Sequence, residues 1–251
     1  MSRIVSIHSY RGGTGKSNLT ANLATTLALQ GRRVGIVDTD IQSPGIHVIF
    51  GLDETKVNRA LNDYLWGRCA IEDTAYNIPL PEVTSRGGNI FLIPSSCKTG
   101  EITRILREGY DVSLLNDGFQ DLVERLKLDV LFIDTHPGLN EETLLSIAIS
   151  DVFVLILRPD RQDFQGTAVT VEVARKLNVP RMLLVVNKAL ASMNFVQLRQ
   201  QVENTYNASV AAVFALTEEM VQLGSSGIFC LRFPQHPFTQ ELQALAKQLL
   251  A

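Results

Sequence analysis

Residues 3–17 read Arg3-Ile-Val-Ser-Ile-His-Ser-Tyr-Arg-Gly-Gly-Thr-Gly-Lys-Ser17, an apolar segment followed directly by a glycine-rich one. The apolar half predicts a buried strand, and leucines every fourth residue after Ser17 predict a helix. Backbone N–H groups of a glycine-rich loop at the positive end of a helix can surround a polyphosphate. In this pattern the lysine reaches the β- and γ-phosphates, and the next hydroxyl ligates Mg²⁺. The predicted phosphate-binding residues are Gly12, Gly13, Thr14, Gly15, Lys16, Ser17 and Asn18.

The spacing of this loop departs from the general pattern at one position. A glycine is expected five residues before Gly15, where this chain has Tyr10, although Gly12 and Gly13 supply equivalent backbone freedom. The alternative is an ordinary tight turn. A helix stop at Gly31 and a second apolar strand at residues 34–37 complete a βαβ unit, which favours the nucleotide site.

Composition limits the classes of protein that fit. A chain of 251 residues with 45% hydrophobic content can bury one sizeable core, and we expect a single domain over residues 1–251. A net charge of −3 excludes a strongly basic nucleic-acid binder but leaves a local basic patch open. Three scattered cysteines without a C-x-x-C motif predict free thiols. With no predicted signal peptide or spanning segment, we expect a cytoplasmic protein.

Apolar runs alternate with amphipathic segments along the whole chain. This alternation predicts an α/β fold with a doubly wound, mostly parallel sheet and helices on both faces. Further strands are predicted at residues 89–94, 129–134, 152–158, 181–188 and 209–214. Helices are predicted at residues 55–72, 117–126, 167–177, 194–206 and 240–250, a loop at 77–89, and a polar surface segment at 99–110.

Carboxylates follow two of the predicted strands. Asp38 and Asp40 end the second strand, at the edge where open α/β sheets bind ligands. Asp134 ends the run Val130-Leu-Phe-Ile and precedes a Pro-Gly turn, which is typical of a Walker B strand whose carboxylate holds Mg²⁺ through water. The alternative for Asp134 is a helix N-cap.

Several segments together resemble the ParA/MinD family of deviant Walker A P-loop ATPases. The loop from Arg11 to Ser17 resembles the family's phosphate loop, and Asp38-Thr-Asp40 resembles its switch I. Comparable segments follow in the family's order over nearly the whole chain, at residues 60–74, 92–95, 132–138 and 185–188.

This resemblance implies an ATPase that forms a homodimer with two ATP molecules between the subunits, and that dissociates on hydrolysis. It implies that Lys16 binds phosphates, that Asp40 orients or activates the attacking water, and that Asp38 joins Ser17 and Asp134 around Mg²⁺. It further implies that Asn187 reads the adenine edge, with the Pro234 and Phe238 region closing over the base. Proteins of this family position plasmids, chromosomes, division sites or large assemblies through a cargo or adaptor protein, which the sequence does not identify.

The signature residue of the family differs here. Its lysine reaches the partner's ATP, and this chain has Arg11, a planar fork that can contact phosphate in two places. Arg11 acting in trans as an arginine finger is the interpretation we favour, since the loop backbone sets its position. Alternatively Arg158 or Arg161 makes the trans contact, or Arg11 faces solvent or pairs with a local carboxylate.

Other functions compete with cargo positioning. Residues 38–50 also resemble the switch of bacterial tyrosine kinases, but no tyrosine follows Tyr206 to form their C-terminal cluster. A nucleotide-dependent scaffold without hydrolysis stays open, whereas metal-cluster carriers of this fold use cysteine pairs that this chain lacks. Non-specific DNA binding, with nucleoid association, also stays open, but a membrane-binding terminal helix is not expected because its leucines suit a core. The candidate DNA-binding residues are Arg175, Lys176, Arg181, Lys188 and Arg199.

Overall fold

The computed structural model describes residues 2–251, and its strands join in a single sheet. The strands are β1 (Arg3–His8), β2 (Arg33–Asp38), β3 (Tyr76–Asn77), β4 (Asn89–Ile93), β5 (Val130–Asp134), β6 (Val152–Leu157), β7 (Met182–Ala189) and β8 (Val210–Ala215). Their order across the sheet is β3-β4-β2-β5-β1-β6-β7-β8. Every neighbouring pair is parallel except the short edge strand β3, which is antiparallel to β4. The predicted mostly parallel sheet is confirmed.

Helices fill the connections between strands. They are α1 (Lys16–Ala28), α2 (Ile46–Ile49), α3 (Leu61–Leu65), α4 (Pro81–Thr84), α5 (Thr99–Glu108), α6 (Ser113–Arg125), α7 (Glu141–Ala148), α8 (Arg161–Lys176), α9 (Phe195–Tyr206), α10 (Glu218–Leu223), α11 (Phe229–Arg232) and α12 (Pro237–Leu250). Two 3₁₀ turns lie at Glu54–Lys56 and Ile71–Thr74. Among the described residues, no helix is long and apolar enough to cross a membrane.

Both faces of the sheet are covered, because successive side chains of a strand point to opposite faces. On β5, Val130 and Phe132 pack in one core layer with α1 and α12, whereas Leu131 and Ile133 pack in the layer under α3 and α6. Strand β6 divides in the same way, with Phe153 facing a third cluster formed with α8 and α9. The all-apolar central strands therefore reflect burial on both sides.

Side-chain caps place the starts of several helices. Asp160 accepts hydrogen bonds from the backbone N–H groups of Gln162 and Asp163, so α8 begins at Arg161, six residues before the predicted start. Asn140 caps α7 and Asn194 caps α9 in the same way.

The helix predicted over residues 55–72 is wrong as a continuous element. Only α3 and parts of the two 3₁₀ turns form there. The Asp63 carboxylate accepts from the Ala60 N–H and so starts α3, and Gly67, at φ 66°, ends the segment two residues after the helix. The predicted loop at 77–89 contains α4, with Pro81 at its first turn, and the polar segment at 99–110 contains α5.

Candidate nucleotide site

The phosphate loop connects β1 to α1 at the centre of the sheet. Gly13 has φ 77° and Gly15 has φ 94°, a left-handed backbone that favours glycine. A Cβ atom on Gly15 would also lie 2.7 Å from Asn187 Nδ2. Helix α1 begins directly after Gly15, and Leu19 N–H donates to the Gly15 carbonyl at 2.9 Å. The loop therefore curls at the helix N-terminus, as the sequence predicts.

Two residues at the end of β7 hold this loop from the side. Asn187 Nδ2 donates to the Thr14 carbonyl at 2.8 Å, and Lys188 Nζ donates to the Gly13 carbonyl at 2.7 Å. Carbonyl groups that are engaged in this way point away from the loop interior, which leaves the interior to N–H donors. From the sequence, Lys188 was predicted only as part of a basic patch. Its contact with the phosphate loop is visible only in the folded structure.

The residues of the loop fit a polyphosphate. Thr14 is 1% exposed, and its buried Oγ1 has no hydrogen-bond partner within the described chain. Burying a hydroxyl without a hydrogen-bond partner destabilises the folded state by about 1–3 kcal/mol. A ligand that accepts or donates this hydrogen bond would remove that cost. Space for that ligand exists, because a Cβ atom on Gly13 would meet nothing within 4 Å.

Two carboxylates lie side by side next to the loop. Asp38 and Asp134 are register neighbours on β2 and β5, and each is 1% exposed. Burial, followed by the nearby Asp134 charge, raises the pKa of Asp38 well above its usual range. Burial raises the pKa of Asp134 to about 6, although Lys16 and Ser17 oppose this change. Two buried like charges with oxygen donors are a setting that a divalent cation stabilises, so these residues and the Ser17 hydroxyl fit Mg²⁺.

Lys16 brings a positive charge to the same site as the two carboxylates. Lys16 is 7% exposed, and its charge acts on both Asp134 and His8. His8 lies at the end of β1 with its Nδ1 2.7 Å from Thr135 Oγ1. Burial and the Lys16 charge lower the pKa of His8 to about 3, so this imidazole is neutral at physiological pH. Lys16 is therefore the cation available to the phosphates at this position.

Asp40 lies nearer to solvent and has a partner that the sequence analysis did not assign. His136 Nδ1 is 2.6 Å from Asp40 Oδ1, and the two side chains are 25% and 17% exposed. The imidazole N–H at Nδ1 donates to the carboxylate, which fixes the direction of its second oxygen. His136 lies two residues after Asp134, the last residue of β5, and that position was the available signal.

Arg11 contacts helix α8. Its guanidinium donates to Gln162 Oε1, and its Nε lies 3.9 Å from Asp163 Oδ1. Asp163 is held more closely by Arg158, whose Nε lies 3.1 Å away. The Arg11 side chain remains 39% exposed. The alternative that Arg11 pairs with a local carboxylate is therefore present in the structure, with Asp163 as the partner. The 3.9 Å separation leaves the guanidinium accessible.

A cavity of about 200 Å³ lies beside the phosphate loop. Asn187 and Phe238 line it together with Gly15 and Asn18. An amide nitrogen carries two N–H groups, so Asn187 keeps one donor besides its bond to Thr14. Pro234 does not line this cavity.

Four of the five cations of the candidate DNA-binding patch make internal hydrogen bonds. Arg175 donates to the Tyr206 and Asn207 carbonyls, and Arg181 donates to the Gln248 carbonyl at 2.6 Å. Arg199 donates to the Val210 carbonyl, and Lys188 to the phosphate loop. These four cations therefore already have hydrogen-bond partners within the chain.

A strand–loop–helix phosphate cradle beside two strand-end carboxylates, in a central parallel sheet, defines a P-loop NTPase. A family model named ParA and described as "NUBPL iron-transfer P-loop NTPase" matches residues 1–250. The chain belongs to this family, of ParA/MinD type.

Individual relatives agree with this placement. The chain is 25% identical over 251 residues to an uncharacterized ATP-binding protein of Methanocaldococcus jannaschii, covering 100% of this chain and 88% of the relative. It is 29% identical over 186 residues to an iron-sulfur cluster carrier protein of Methanococcus maripaludis, covering 73% of this chain and 59% of the relative. The septum site-determining protein MinD of Pyrococcus horikoshii, solved with Mg-ADP, superposes with a TM-score of 0.81 at 22% identity, covering 99% of this chain and 96% of that one. The last comparison shows the shared fold.

The cysteine pattern led us to set metal-cluster carriers aside, and the comparisons bring them back as relatives. The carrier relative and the family description both name iron chemistry. What is established for this chain is therefore the broader class, a ParA/MinD-type P-loop NTPase.

Proposed function

We propose that this protein is a Mg²⁺-dependent ATPase whose ATP-bound form is a homodimer and which positions an intracellular cargo. The observation that carries the proposal is the meeting of three groups at one edge of the sheet. These are the phosphate loop, the buried Asp38–Asp134 pair, and the Asp40–His136 pair beside them.

Each group has a separate part in the chemistry. The N–H groups of the loop and Lys16 hold the phosphates, and Ser17, Asp38 and Asp134 hold the metal. Mg²⁺, when bound, neutralises charge that develops on the transferred phosphoryl group. Asp40 accepts a hydrogen bond from the attacking water, and His136 keeps the carboxylate in the required orientation.

Arg11 supplies the contact to the second subunit in this proposal. It projects from the phosphate loop, is partly exposed, and is steered by Gln162 and Asp163. A guanidinium that is already oriented loses less side-chain freedom when it meets a phosphate across a dimer. A face-to-face dimer would present it to the partner's ATP, where it would stabilise transition-state charge.

An iron-sulfur carrier is the second candidate, since relatives carry that name. Such a cluster needs several thiolates close together. Here the cysteines are Cys69, Cys97 and Cys230, far apart in sequence, and Cys230, on α11, is 3% exposed. The residues of this chain therefore favour the positioning ATPase.

ATP turnover and molecular mass under ATP and ADP test the proposal. We expect slow hydrolysis by the wild type and an ATP-dependent dimer, both lost in Lys16→Ala. Arg11→Ala should bind ATP and lose at least tenfold in turnover, and Arg11→Lys should recover part of it. Arg86→Ala, at the opposite edge of the sheet before β4, is the matched arginine control.

Two results would count against this assignment. Normal turnover in Arg11→Ala would show that Arg11 does not make the contact to the partner's ATP, and Arg158 and Arg161 would then be the candidates. A wild type with neither turnover nor an ATP-dependent dimer would contradict the ATPase proposal, and an air-sensitive visible absorption after reconstitution with iron and sulfide would favour the carrier.

A further inference from the structure

A second cluster of ligand atoms lies beyond the nucleotide site. His47 on α2, Glu54 in the first 3₁₀ turn and Cys97 after β4 place an imidazole nitrogen, a carboxylate oxygen and a sulfur within 4.8 Å of one another. His47 is 2% exposed, whereas the Glu54 side chain is 61% exposed. His47 and Cys97 are 50 positions apart in sequence, whereas Glu54 lies seven residues after His47. Strands β2 and β4, which precede α2 and Cys97, pair in parallel.

The distances within this cluster match the edges of a tetrahedral metal site. His47 Nε2 is 3.7 Å from Cys97 Sγ and 3.3 Å from Glu54 Oε1. Zinc bonds of about 2.0–2.1 Å to nitrogen, about 2.3 Å to sulfur and about 2.0–2.2 Å to oxygen give tetrahedral edges of about 3.6 Å for N···S and about 3.4 Å for N···O. The two edges that meet at His47 Nε2 thus already have the length that such an ion requires, and all three donor atoms lie within 4.8 Å of one another.

Hydrogen bonding alone leaves the buried imidazole unsatisfied. Nε2 of a neutral histidine either donates to Glu54 or accepts from the Cys97 thiol, but it cannot do both. The other nitrogen of His47, Nδ1, is buried without a partner in the described chain, and a cation at Nε2 does not change that. A bound cation would use the lone pairs of all three groups at once.

The three residues border an open space. The cluster lines a cavity of about 320 Å³ whose other carboxylates, Asp63 and Glu101, are paired with Arg68 at 3.2 and 2.9 Å. Asp63 Oδ1 and Glu101 Oε1 are therefore paired, and water or an exogenous ligand would complete the site. Three protein ligands with one open position are typical of an exchangeable or catalytic zinc site rather than a closed structural one.

We propose that His47, Glu54 and Cys97 bind a divalent ion of the zinc class, separate from the Mg²⁺ of the nucleotide site. A mixed nitrogen, sulfur and oxygen set discriminates against Mg²⁺, which takes oxygen ligands. The Gly45 N–H donates to Asp38 at 3.2 Å, and α2 begins at the next residue. A bound ion would therefore tie the segment after Asp40 to the end of β4.

Cobalt(II) is the probe for this site, added without nucleotide and in the presence of excess Mg²⁺, which occupies the oxygen-rich site. We expect one equivalent of cobalt to produce a sulfur-to-cobalt charge-transfer absorption, which should disappear when zinc displaces the cobalt. The absorption should vanish in Cys97→Ser and persist in Cys69→Ser, the matched cysteine control. Glu54→Gln, at an exposed position where folding is not at risk, should weaken affinity at least tenfold.

A wild type without the sulfur absorption would overturn the proposal, as would an absorption that survives in Cys97→Ser. If Glu54→Gln and the wild type bind cobalt with equal affinity, Glu54 is not a ligand and the proposed three-ligand site is wrong. None of these readings depends on ATP turnover, so failure here is distinct from failure of the ATPase proposal.

Discussion

At the scale of single residues, the buried charge of the nucleotide site lowers the free energy of unfolding. Asp134 is buried beside Asp38, and burial raises its pKa to about 6 from an ordinary value of 3.8. The folded chain therefore favours the neutral acid, and above pH 6 it must carry a buried charge that the unfolded chain carries in water. That difference corresponds to on the order of 3 kcal/mol.

Asp134→Asn should raise the free energy of unfolding at pH 8, by on the order of 1–3 kcal/mol, and abolish Mg²⁺-dependent hydrolysis. The sign follows from the raised pKa. The stabilisation should shrink as the pH falls through 6 and vanish near pH 4, where the wild-type carboxyl is neutral in the folded state. Urea unfolding at the two pH values measures it, and an equal gain at both would contradict the buried-charge explanation.

At the scale of elements, helix α8 supports the phosphate loop. The Tyr10 ring lies against Gly166, where an added Cβ atom would clash with the ring. Arg11, the next residue, reaches Gln162 one turn earlier on the same helix. The tyrosine that departs from the general loop pattern thus anchors the loop to its neighbour.

Gly166→Ala should destabilise the protein by about 1–3 kcal/mol, because the added methyl group displaces a packed ring. It should also lower ATP affinity, since the loop moves with Tyr10. Gly100→Ala in α5, where an added Cβ meets nothing within 4 Å, is the matched control and should be neutral or slightly stabilising. Thermal melts with and without Mg-ATP measure both effects, and equal melts for the two variants would refute the packing argument.

At the scale of the whole molecule, the phosphate loop, the strand-end carboxylates and Asn187 come from β1, β2, β5 and β7. A ligand that bridges these strands stabilises only the folded chain, because the unfolded chain does not assemble the site.

Mg-ATP at a hundredfold excess over its dissociation constant should add about 2.7 kcal/mol to the stability. For a chain of this size that corresponds to a rise in melting temperature of about 5–10 °C. Calorimetry measures it, with Lys16→Ala as the variant that should show little rise. An equal rise in Lys16→Ala would mean that ATP binds elsewhere.

Local sequence determined a large part of this protein. Glycines at positions 13 and 15, the apolar strands and their terminal carboxylates predict the phosphate loop, the sheet and the positions of Asp38 and Asp134 at strand ends. These features depend on backbone conformation and side-chain periodicity, which neighbouring residues set. Parallel pairing then brings strand ends to one edge without further information.

Tertiary structure alone decided the partners of these residues. The contacts of Asp40 with His136, Arg11 with Gln162 and His47 with Cys97 join residues 96, 151 and 50 positions apart. Such contacts depend on how helices pack on the finished sheet, and packing is a property of shape and distance that no local pattern in the chain encodes.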